Sequence, residues 1–572
     1  MRIGDRLVGL LGRQGVAIGT IAVFALIPAI TQDQYTLGVW TFLLLNILVL
    51  LGLDLVLGYA GQLSLGQGLF VAVGAYASGL LTTRAGWSGW AAMPVGMAAA
   101  AVIAAVVAIP TLRLRGYYLA MVTLGFPIVF DAAVRVTSQW SGGSSGIVSI
   151  PRLKIGDYAL RDPLVYYYVV LVFLAVALLI VWNLANGRLG LKLRAIHLDE
   201  TAASARGIDV VRLKIGVFVG SAALAALSGS LYVHNVQFVA PDTFGLNYSI
   251  TLVILLVVGG MGRIWGGILG AVVLGWLPEF LREAASWQPV IFGSILVLIM
   301  LGAPNGMAGL VRRRSFFSPR EPMSGEREPF AKDEVVLAVR DAGKTFGGVK
   351  AVDGLSFEVR SGEIKSIIGP NGAGKSTALA LVSGVIPLDR GEIELCGKRV
   401  ENAGAFLRAR AGLGRTFQHA RLIPSLTVYE NILMGASPLR EGDEREASAV
   451  LRQMGLRHLA DKFPAETNQY DQRLIEIGAA LAADPRLLML DEPGAGLSLA
   501  EIARLSDLLN DQRSRGRAVV LVDHIMNLVV AVSDTILVLN SGMAIKEGSP
   551  RTVIADPIVR RAYLGERSVI DA

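Results

Sequence analysis

"IKSIIGPNGAGKST", Ile364–Thr377, runs from an apolar stretch through Gly-x-x-x-x-Gly-Lys-Ser into the start of a helix. The order of these parts carries chemistry. A strand delivers a glycine-rich turn to the mouth of a helix. The glycines let successive backbone N–H groups converge on phosphate oxygens, and the helix N-terminus adds a dipole that favours anions. The spacing sends Lys375 to the β- and γ-phosphates of a nucleotide and the Ser376 hydroxyl to Mg²⁺. Gly369, Asn371, Gly372, Gly374 and Thr377 complete the phosphate loop.

Downstream, "LLMLDEP" (Leu487–Pro493) is a second apolar strand, ending in two carboxylates. Paired with a phosphate loop, Asp491 is placed to hold Mg²⁺ and Glu492 to polarise an attacking water as general base. Around these motifs, "VVLAVRDAGKTF", "AVVLVDH" and "TILVLNSG" are short β-rich runs with helical stretches between several of them, the texture of a soluble α/β domain over residues 335–572. Residues 315–334, "SFFSPREPMSGEREPFAKDE", are Pro-rich and charged and read as a cytoplasmic linker.

Residues 1–314 differ in kind. The chain of 572 residues is 53% hydrophobic with mean hydropathy +0.54, which indicates a membrane class. Apolar runs near 15–31, 37–57, 62–82, 91–110, 117–135, 163–185, 214–236, 246–260, 265–281 and 288–305 give about ten transmembrane helices, with 246–281 readable as one span or two. Residues 1–314 carry 21 Lys+Arg against 12 Asp+Glu, and the remainder 32 against 34. The basic excess therefore belongs to the membrane half and sets topology; no nucleic-acid surface is expected. With the N-terminus inside, ten spans put Arg113 and Arg115, the Arg188–Lys214 cluster and Arg312–Arg314 on the cytoplasmic side. Arg152, Lys154 and Arg161 fall outside, in a longer loop of the kind that tolerates it. Apolar Gly15–Ile30 reads as the first of these helices and not as a cleaved signal, because "TQDQYT" is a poor cleavage site. Frequent Gly and Ala in the spans indicate a packed bundle in the lipid bilayer. Asp54 near the cytoplasmic end of the second span is readable as a functional carboxylate or as a helix-end hydrogen-bond acceptor. One cysteine, Cys396, excludes an intrachain disulfide.

These residues resemble two halves of one family. "GRTFQHARLIPSLTVYENIL" (Gly414–Leu433), "LVDHIMNLV" (Leu521–Val529) and "KTFGGVKAV" (Lys344–Val352) resemble the nucleotide-binding domain of ABC transporters over about 335–567. The resemblance implies ATP and Mg²⁺ as cofactors. It places Gln418 near Mg²⁺ and at the membrane-domain contact, His524 on the γ-phosphate, and Phe346 against adenine. "LGYAGQLSLGQGLFVAVGAYASGLL" (Leu57–Leu81), "LRLRGYYLAMVTLGF" (Leu112–Phe126) and "LRAIHLDETAASARGIDVVRLK" (Leu193–Lys214) resemble permeases of branched-chain amino acid importers. In the last of these, Glu200, Ala202, Ala203 and Gly207 approximate the Glu-Ala-Ala…Gly pattern of an importer coupling helix. A charged loop that only sets topology is the alternative. "RTFQHARL", "DEPGAGLS" and the closing "YLGE" (Tyr563–Glu566) resemble the ATPase subunits of the same importers. The chain thus resembles a permease fused to its ATPase: a polytopic α-helical membrane domain followed by an α/β P-loop domain.

One element departs from the pattern. In "ETNQYDQRLIEIGAAL" (Glu466–Leu481), alignment on "QRLIEIGAAL" puts Asn468 where the family has the signature Ser, Tyr470 at its second Gly, and Asp471 after it. Tyr470 adds bulk and Asp471 adds charge where backbone meets phosphate. Ser498 likewise replaces the Asp or Asn usual in the following loop. In the head-to-tail dimers of this family each signature completes the partner's site, so the defect acts in trans. The resemblance then implies a second ATPase subunit with an intact signature, a second permease and an extracytoplasmic solute-binding protein, in a bacterial-type inner membrane with the ATPase domain in the cytoplasm. The expected activity is ATP-driven uptake of branched-chain amino acids or a related small amino acid or amide. The alternatives are urea or aromatic acids as cargo, a hydrolysis-poor nucleotide-gated regulatory or receptor assembly, and an exporter, which would lack the coupling segment.

Overall fold

The computed structural model describes residues 3–31, 33–111, 117–303, 305–310, 317–319, 329–331, 333–436 and 443–564. Arg113, Arg115 and Arg312–Arg314, on which part of the topology argument rests, lie outside these, as do Glu566 and much of the 315–334 linker. The chain divides into two compact units. One is Met1–His197 with Val211–Phe316; the other is Leu198–Val210 with Phe317–Ala572.

The first unit is helical. Apolar helices α1 (Ile3–Ile30), α2 (Gln34–Asp54), α3 (Gln67–Arg84), α4 (Gly89–Thr111), α5 (Tyr117–Val136) and α6 (Pro163–Asn186) precede the basic α7 (Arg188–Leu198) and the short α8 (Glu200–Ala205). Apolar helices α9 (Val210–Val236), α10 (Leu246–Gly259), α11 (Ile264–Gly275) and α12 (Gln288–Gly302) follow. Among the described residues ten apolar helices thus stand where about ten spans were expected, although they are unequal. Among the described residues five are long and apolar enough to cross a membrane, or six counting the bent pair Ala120–Val136 and Ser138–Ser145. The open question over 246–281 resolves into two helices of 14 and 12 residues, only about 21 and 18 Å long at 1.5 Å per residue. The break lies at Gly260 and Gly262, whose φ of 117° and 72° suit glycine.

Every residue from Ile47 to Ala60 is buried, so α2 is apolar all round because it is enclosed all round. Small residues set the spacing of α3 and α9: a Cβ at Gly74 would lie 2.1 Å from the Ala226 carbonyl oxygen, and one at Gly229 2.0 Å from that of Val71. Backbone approaches this close are how helices associate where no hydrophobic force drives them together. Asp54 accepts a hydrogen bond of 2.7 Å from the Gly262 amide, tying the end of α2 to the α10–α11 break. In the loop before α6, Arg152 donates to Gln237 Oε1 and to the Arg161 carbonyl, both at 3.1 Å.

The second unit is α/β. Strands β1 (Val335–Phe346), β2 (Val349–Arg360) and β4 (Arg390–Leu395) form an antiparallel sheet with the two-residue strand Lys398–Arg399. Strands β3 (Ile364–Ile368), β5 (Leu413–Arg415), β6 (Leu487–Asp491), β7 (Ala518–Val522), β8 (Thr535–Asn540) and β9 (Met543–Gly548) form a six-stranded sheet in the order β9-β8-β3-β7-β6-β5. All its pairings are parallel except β8–β9. Strands β3, β6 and β7 are buried at every position, which is why β7 and the first four residues of β6 read as apolar runs; the polar side chains inside β3 are partnered, Lys365 by Glu547 and Ser366 by Ser533. The core lies between the two sheets and α13 (Lys375–Val382), and α14 (Val428–Leu433) follows along the chain. The loops that follow β3, β6 and β7 leave from the carboxyl edge of the sheet, the edge on which open α/β sheets hold ligands.

Candidate functional site

The phosphate loop is built as its spacing requires. Gly369, Gly372 and Gly374 have φ of 156°, 82° and 98°. A Cβ on Gly369 would lie 2.2 Å from the Leu539 carbonyl oxygen, and one on Gly374 2.3 Å from that of Ala351. Neither position admits another residue. Lys375 and Ser376 open α13, with Ser376 and Asn371 exposed and Thr377 half-buried. Lys375 Nζ donates to the carbonyls of Gly369 and Pro370 at 2.7 and 2.9 Å. Burial pulls its pKa down, opposed by the nearby carboxylates of Glu492 and Asp491.

The remaining predicted groups converge on the end of β6. Asp491 is buried; burial raises its pKa, opposed by Arg415, whose guanidinium lies 3.9 Å away. Asp491 Oδ1 has no hydrogen-bond partner among the described residues. A carboxylate buried beside a phosphate loop with one oxygen unclaimed fits a divalent cation. Glu492 adopts φ 48°, in the left-handed region uncommon for a side-chain-bearing residue. Its amide donates to the Val522 carbonyl at 2.7 Å. The resulting turn brings Glu492 Oε2 within 3.0 Å of Gln418 Nε2, which donates to it, and 3.9 Å from His524 Nδ1. Gln418, Glu492 and His524 come from three separate loops and meet at one carboxylate oxygen. Phe346 is 48% exposed at the end of β1, with Lys344 Nζ 5.6 Å from its ring centre.

Two supports escaped sequence reasoning. Asp523 is fully buried, and its carboxylate accepts from the amides of His524, Ile525 and Gly494 at 2.8, 2.9 and 2.9 Å. It fixes the His524 loop to the turn after Glu492. A carboxylate directly before the switch histidine was the available signal. The second is a buried pair, Arg473 and Glu476, on α15 (Gln469–Leu481). Glu476 Oε1 accepts from the amides of Phe417 and Arg421 at 3.1 and 3.3 Å. Arg473 donates to the carbonyls of Phe417 and Gln418 at 3.0 and 2.9 Å. Together they clamp the backbone on both sides of Gln418. The charges in "QRLIE" look like an ordinary helix surface, and only the fold shows that they are inside.

Residues 35–304 match the family described as branched-chain amino acid transport system / permease component, and residues 352–495 match the ABC transporter family. The high-affinity branched-chain amino acid transport ATP-binding protein LivG of Salmonella typhimurium is 36% identical over 250 residues, 40% of this chain and 98% of LivG. The chain belongs to the ABC transporter family. It joins a permease of the branched-chain amino acid type to its own ATPase, and it hydrolyses ATP coupled to transport. The lipopolysaccharide export ATP-binding protein LptB of Escherichia coli K12 is also similar, 32% identical over 40% of this chain and 97% of its own. A crystal structure of an ABC transporter cassette in its ADP conformation is 30% identical, covering 41% of this chain and 100% of that one, with a TM-score of 0.39.

Of the segment Leu193–Lys214, read as the coupling segment, residues Leu198–Val210 fall within the ATPase unit. Asp199 caps α8, its Oδ1 accepting from the amides of Thr201 and Ala202 at 2.8 and 2.9 Å. The other oxygen of the same carboxylate pairs with Arg421. Ala202 and Ala205 pack on Phe417 in a small buried cluster. The Arg421 guanidinium lies 4.4 Å from the Phe417 ring centre, and Arg206 donates to the Arg421 carbonyl at 2.9 Å. Burial lowers the Arg206 pKa, opposed by Glu476 and Asp199. Ala203 is buried, Glu200 lies in the first turn of α8, and Gly207 takes φ 78° at its exit. Asp199, Arg206 and Arg421 were not singled out in the sequence, because a charged loop looks the same whether or not it is docked. If this contact transmits load, Asp199→Asn and Arg421→Ala each lower solute-stimulated ATP hydrolysis roughly 10-fold, and the double variant is little worse than either single one. A double-mutant cycle on purified transporter measures it, and additive losses would contradict a shared contact.

At the altered signature, Asn468 caps α15, its Oδ1 accepting from the Asp471 amide at 2.7 Å. The side-chain carbonyl oxygen of Asn468 is thus engaged within its own helix. Asp471 stands in the first turn of α15, where the dipole favours an anion, so the charge that opposes phosphate also stabilises the helix. Tyr470 is half-buried, and burial raises its phenol pKa, keeping it neutral. Ser498 caps α16 (Leu499–Ser514) in a reciprocal pair with Glu501: Ser498 Oγ donates to the carboxylate at 2.7 Å, and the Ser498 amide donates to it at 2.8 Å.

Proposed function

We propose that this transporter imports branched-chain amino acids, or a related small amino acid or amide, into the cytoplasm of a bacterial-type cell. The observation that carries the reading is the permease match over residues 35–304, joined to a cassette 36% identical to LivG. The cassette alone does not choose the cargo, since LptB, whose name is lipopolysaccharide export, is also similar to it. In this reading residues 1–314 form the permease in the inner membrane, 315–334 the linker and 335–572 the cytoplasmic ATPase. The working assembly adds a second permease, a second ATPase with an intact signature and an external solute-binding protein.

The phosphate loop holds the triphosphate through backbone amides, Lys375 and Thr377, with Phe346 against the adenine. Ser376, Gln418 and Asp491 would hold Mg²⁺, which would supply charge neutralisation for the phosphates. Glu492 takes a proton from the attacking water as general base, oriented by Gln418, while His524 stabilises charge on the γ-phosphate. The Arg473–Glu476 clamp and the Asp199–Arg421 pair support a mechanical reading: a shift of Gln418 on ATP closure moves the backbone on which α8 rests. Asn468, Tyr470 and Asp471 favour one competent and one degenerate site. They also motivate the second reading, a hydrolysis-poor regulatory assembly.

The test of cargo is uptake of labelled leucine by cells lacking this chain and by the same cells carrying it, with unlabelled valine, urea and benzoate as competitors. Restored uptake with valine as the strong competitor supports the reading. Leucine uptake that never depends on the chain overturns it.

A further inference from the structure

Between α2 and α3 the permease interrupts its helices. A wide turn, Leu55–Tyr59, leads into non-helical residues 60–66, and α3 resumes at Gln67. Such wide turns are rare in helices and occur frequently at functional sites. The segment is stitched to its surroundings: the Leu65 amide donates to Thr123 of α5 at 3.0 Å, Gln67 Nε2 to Ser221 of α9 at 2.9 Å, and the Gly68 amide to Ser249 of α10 at 3.0 Å. Ser221 is the twelfth of the 27 residues of α9, so the interruption lies against the body of a long apolar helix and not against its end.

Against this order stands a local exception. Gln62, Ser64 and Gln67 are 3%, 1% and 1% exposed. Gln62 Oε1, Gln62 Nε2, Ser64 Oγ and Gln67 Oε1 have no hydrogen-bond partner among the described residues. Buried polar side chains are normally satisfied, and irregular backbone among membrane helices occurs where it is enclosed by protein or lines a path. Four unclaimed polar atoms within six residues, beside the partnered hydroxyls of Thr123, Ser221 and Ser249, are a set of donors and acceptors available to a ligand.

We propose that residues 60–67 form a solute-binding station in the permease, where the amides of Gln62 and Gln67 and the hydroxyl of Ser64 exchange hydrogen bonds with the transported molecule. The set offers donors and acceptors together and no charge of its own, which suits the zwitterionic head group of a small amino acid. This rests on the importer reading above; urea, an amide of similar polarity, is distinguished by the test.

The test uses cells with the complete transporter. If these side chains served only packing, replacing an unpaired buried amide by Leu would be tolerated, because the unmet polar group is what carries a penalty. As part of a solute station, Gln62→Leu and Gln67→Leu each raise the KM for labelled leucine by at least about 10-fold, or reorder inhibition by valine, urea and benzoate. A second probe is independent of cargo. Ser64→Cys, in a chain carrying Cys396→Ala, reacts in membrane vesicles with a small charged methanethiosulfonate, and its rate changes between nucleotide-free and ATP–vanadate conditions. Failure of Ser64→Cys to react in any condition overturns the station, as does a leucine KM within two-fold of wild type in both Leu variants. If deleting the chain leaves leucine uptake untouched, the amino acid reading fails by itself, and the station is decided by the cysteine reaction.

Discussion

Lys375→Ala lowers ATP hydrolysis by the assembled transporter roughly 100-fold, while the equivalent lysine change on the partner ATPase costs only a few-fold. The asymmetry follows from which residues each site uses. In the proposed dimer the site on Lys375 would take its phosphate loop, Asp491, Glu492 and His524 from this chain and its signature from the partner. In the structure Gln418, Glu492 and His524 meet at one oxygen, and Asp491 keeps an unclaimed buried oxygen beside them. The partner's site would take its signature from α15, where Tyr470 adds bulk and Asp471 charge. A larger loss from the partner's lysine would reverse the assignment. Equal large losses would indicate that the two sites fire together.

Arg473→Leu destabilises the ATPase unit by about 3 kcal/mol, an effect of breaking a buried pair and not of losing a surface charge. Both partners are nearly enclosed, with side chains 8% and 2% exposed. Removing Arg473 leaves the buried Glu476 carboxylate without its ion-pair partner, with Arg206 as the remaining nearby cation, and frees the carbonyls of Phe417 and Gln418. The loss concentrates at the backbone the pair holds. Amide exchange at Phe417 and Arg421 accelerates by about 100-fold, while the interior of β3 keeps its protection. Exchange unchanged at those two amides would show that the clamp holds nothing.

What could be read from the residues, and what could not, divides by physical cause. The phosphate loop, "LLMLDEP" and the apolar helices are local: each follows from the pattern along one segment, so Lys375, Ser376, Asp491 and Glu492 could be proposed before the fold was known. The clamp depends on segments over fifty residues apart, and nothing in "QRLIE" shows that Arg473 faces the Gln418 loop. Asp199 is a similar case, since its capping role is local whereas its pairing with Arg421 spans 222 residues. The break between α10 and α11 was half visible, as glycines in an apolar run. The contact that ties it to the end of α2, Asp54 accepting from the Gly262 amide, spans 208 residues and was not visible. The polar set at Gln62, Ser64 and Gln67 was quoted only as part of a permease-like stretch, because side chains without partners become conspicuous only once burial is known.

The central claim is that hydrolysis on this chain's own site drives accumulation of solute. The most direct measurement is the steady-state ratio of internal to external labelled leucine in cells lacking the native chain and carrying wild type or Glu492→Gln at equal membrane abundance. Removing the general base is expected to slow hydrolysis at least about 100-fold, so the account predicts concentrative uptake with wild type and collapse of the ratio toward equilibration with Glu492→Gln. A Glu492→Gln chain that accumulates leucine as fully as wild type would contradict it and leave the ATPase half as a nucleotide-gated regulator.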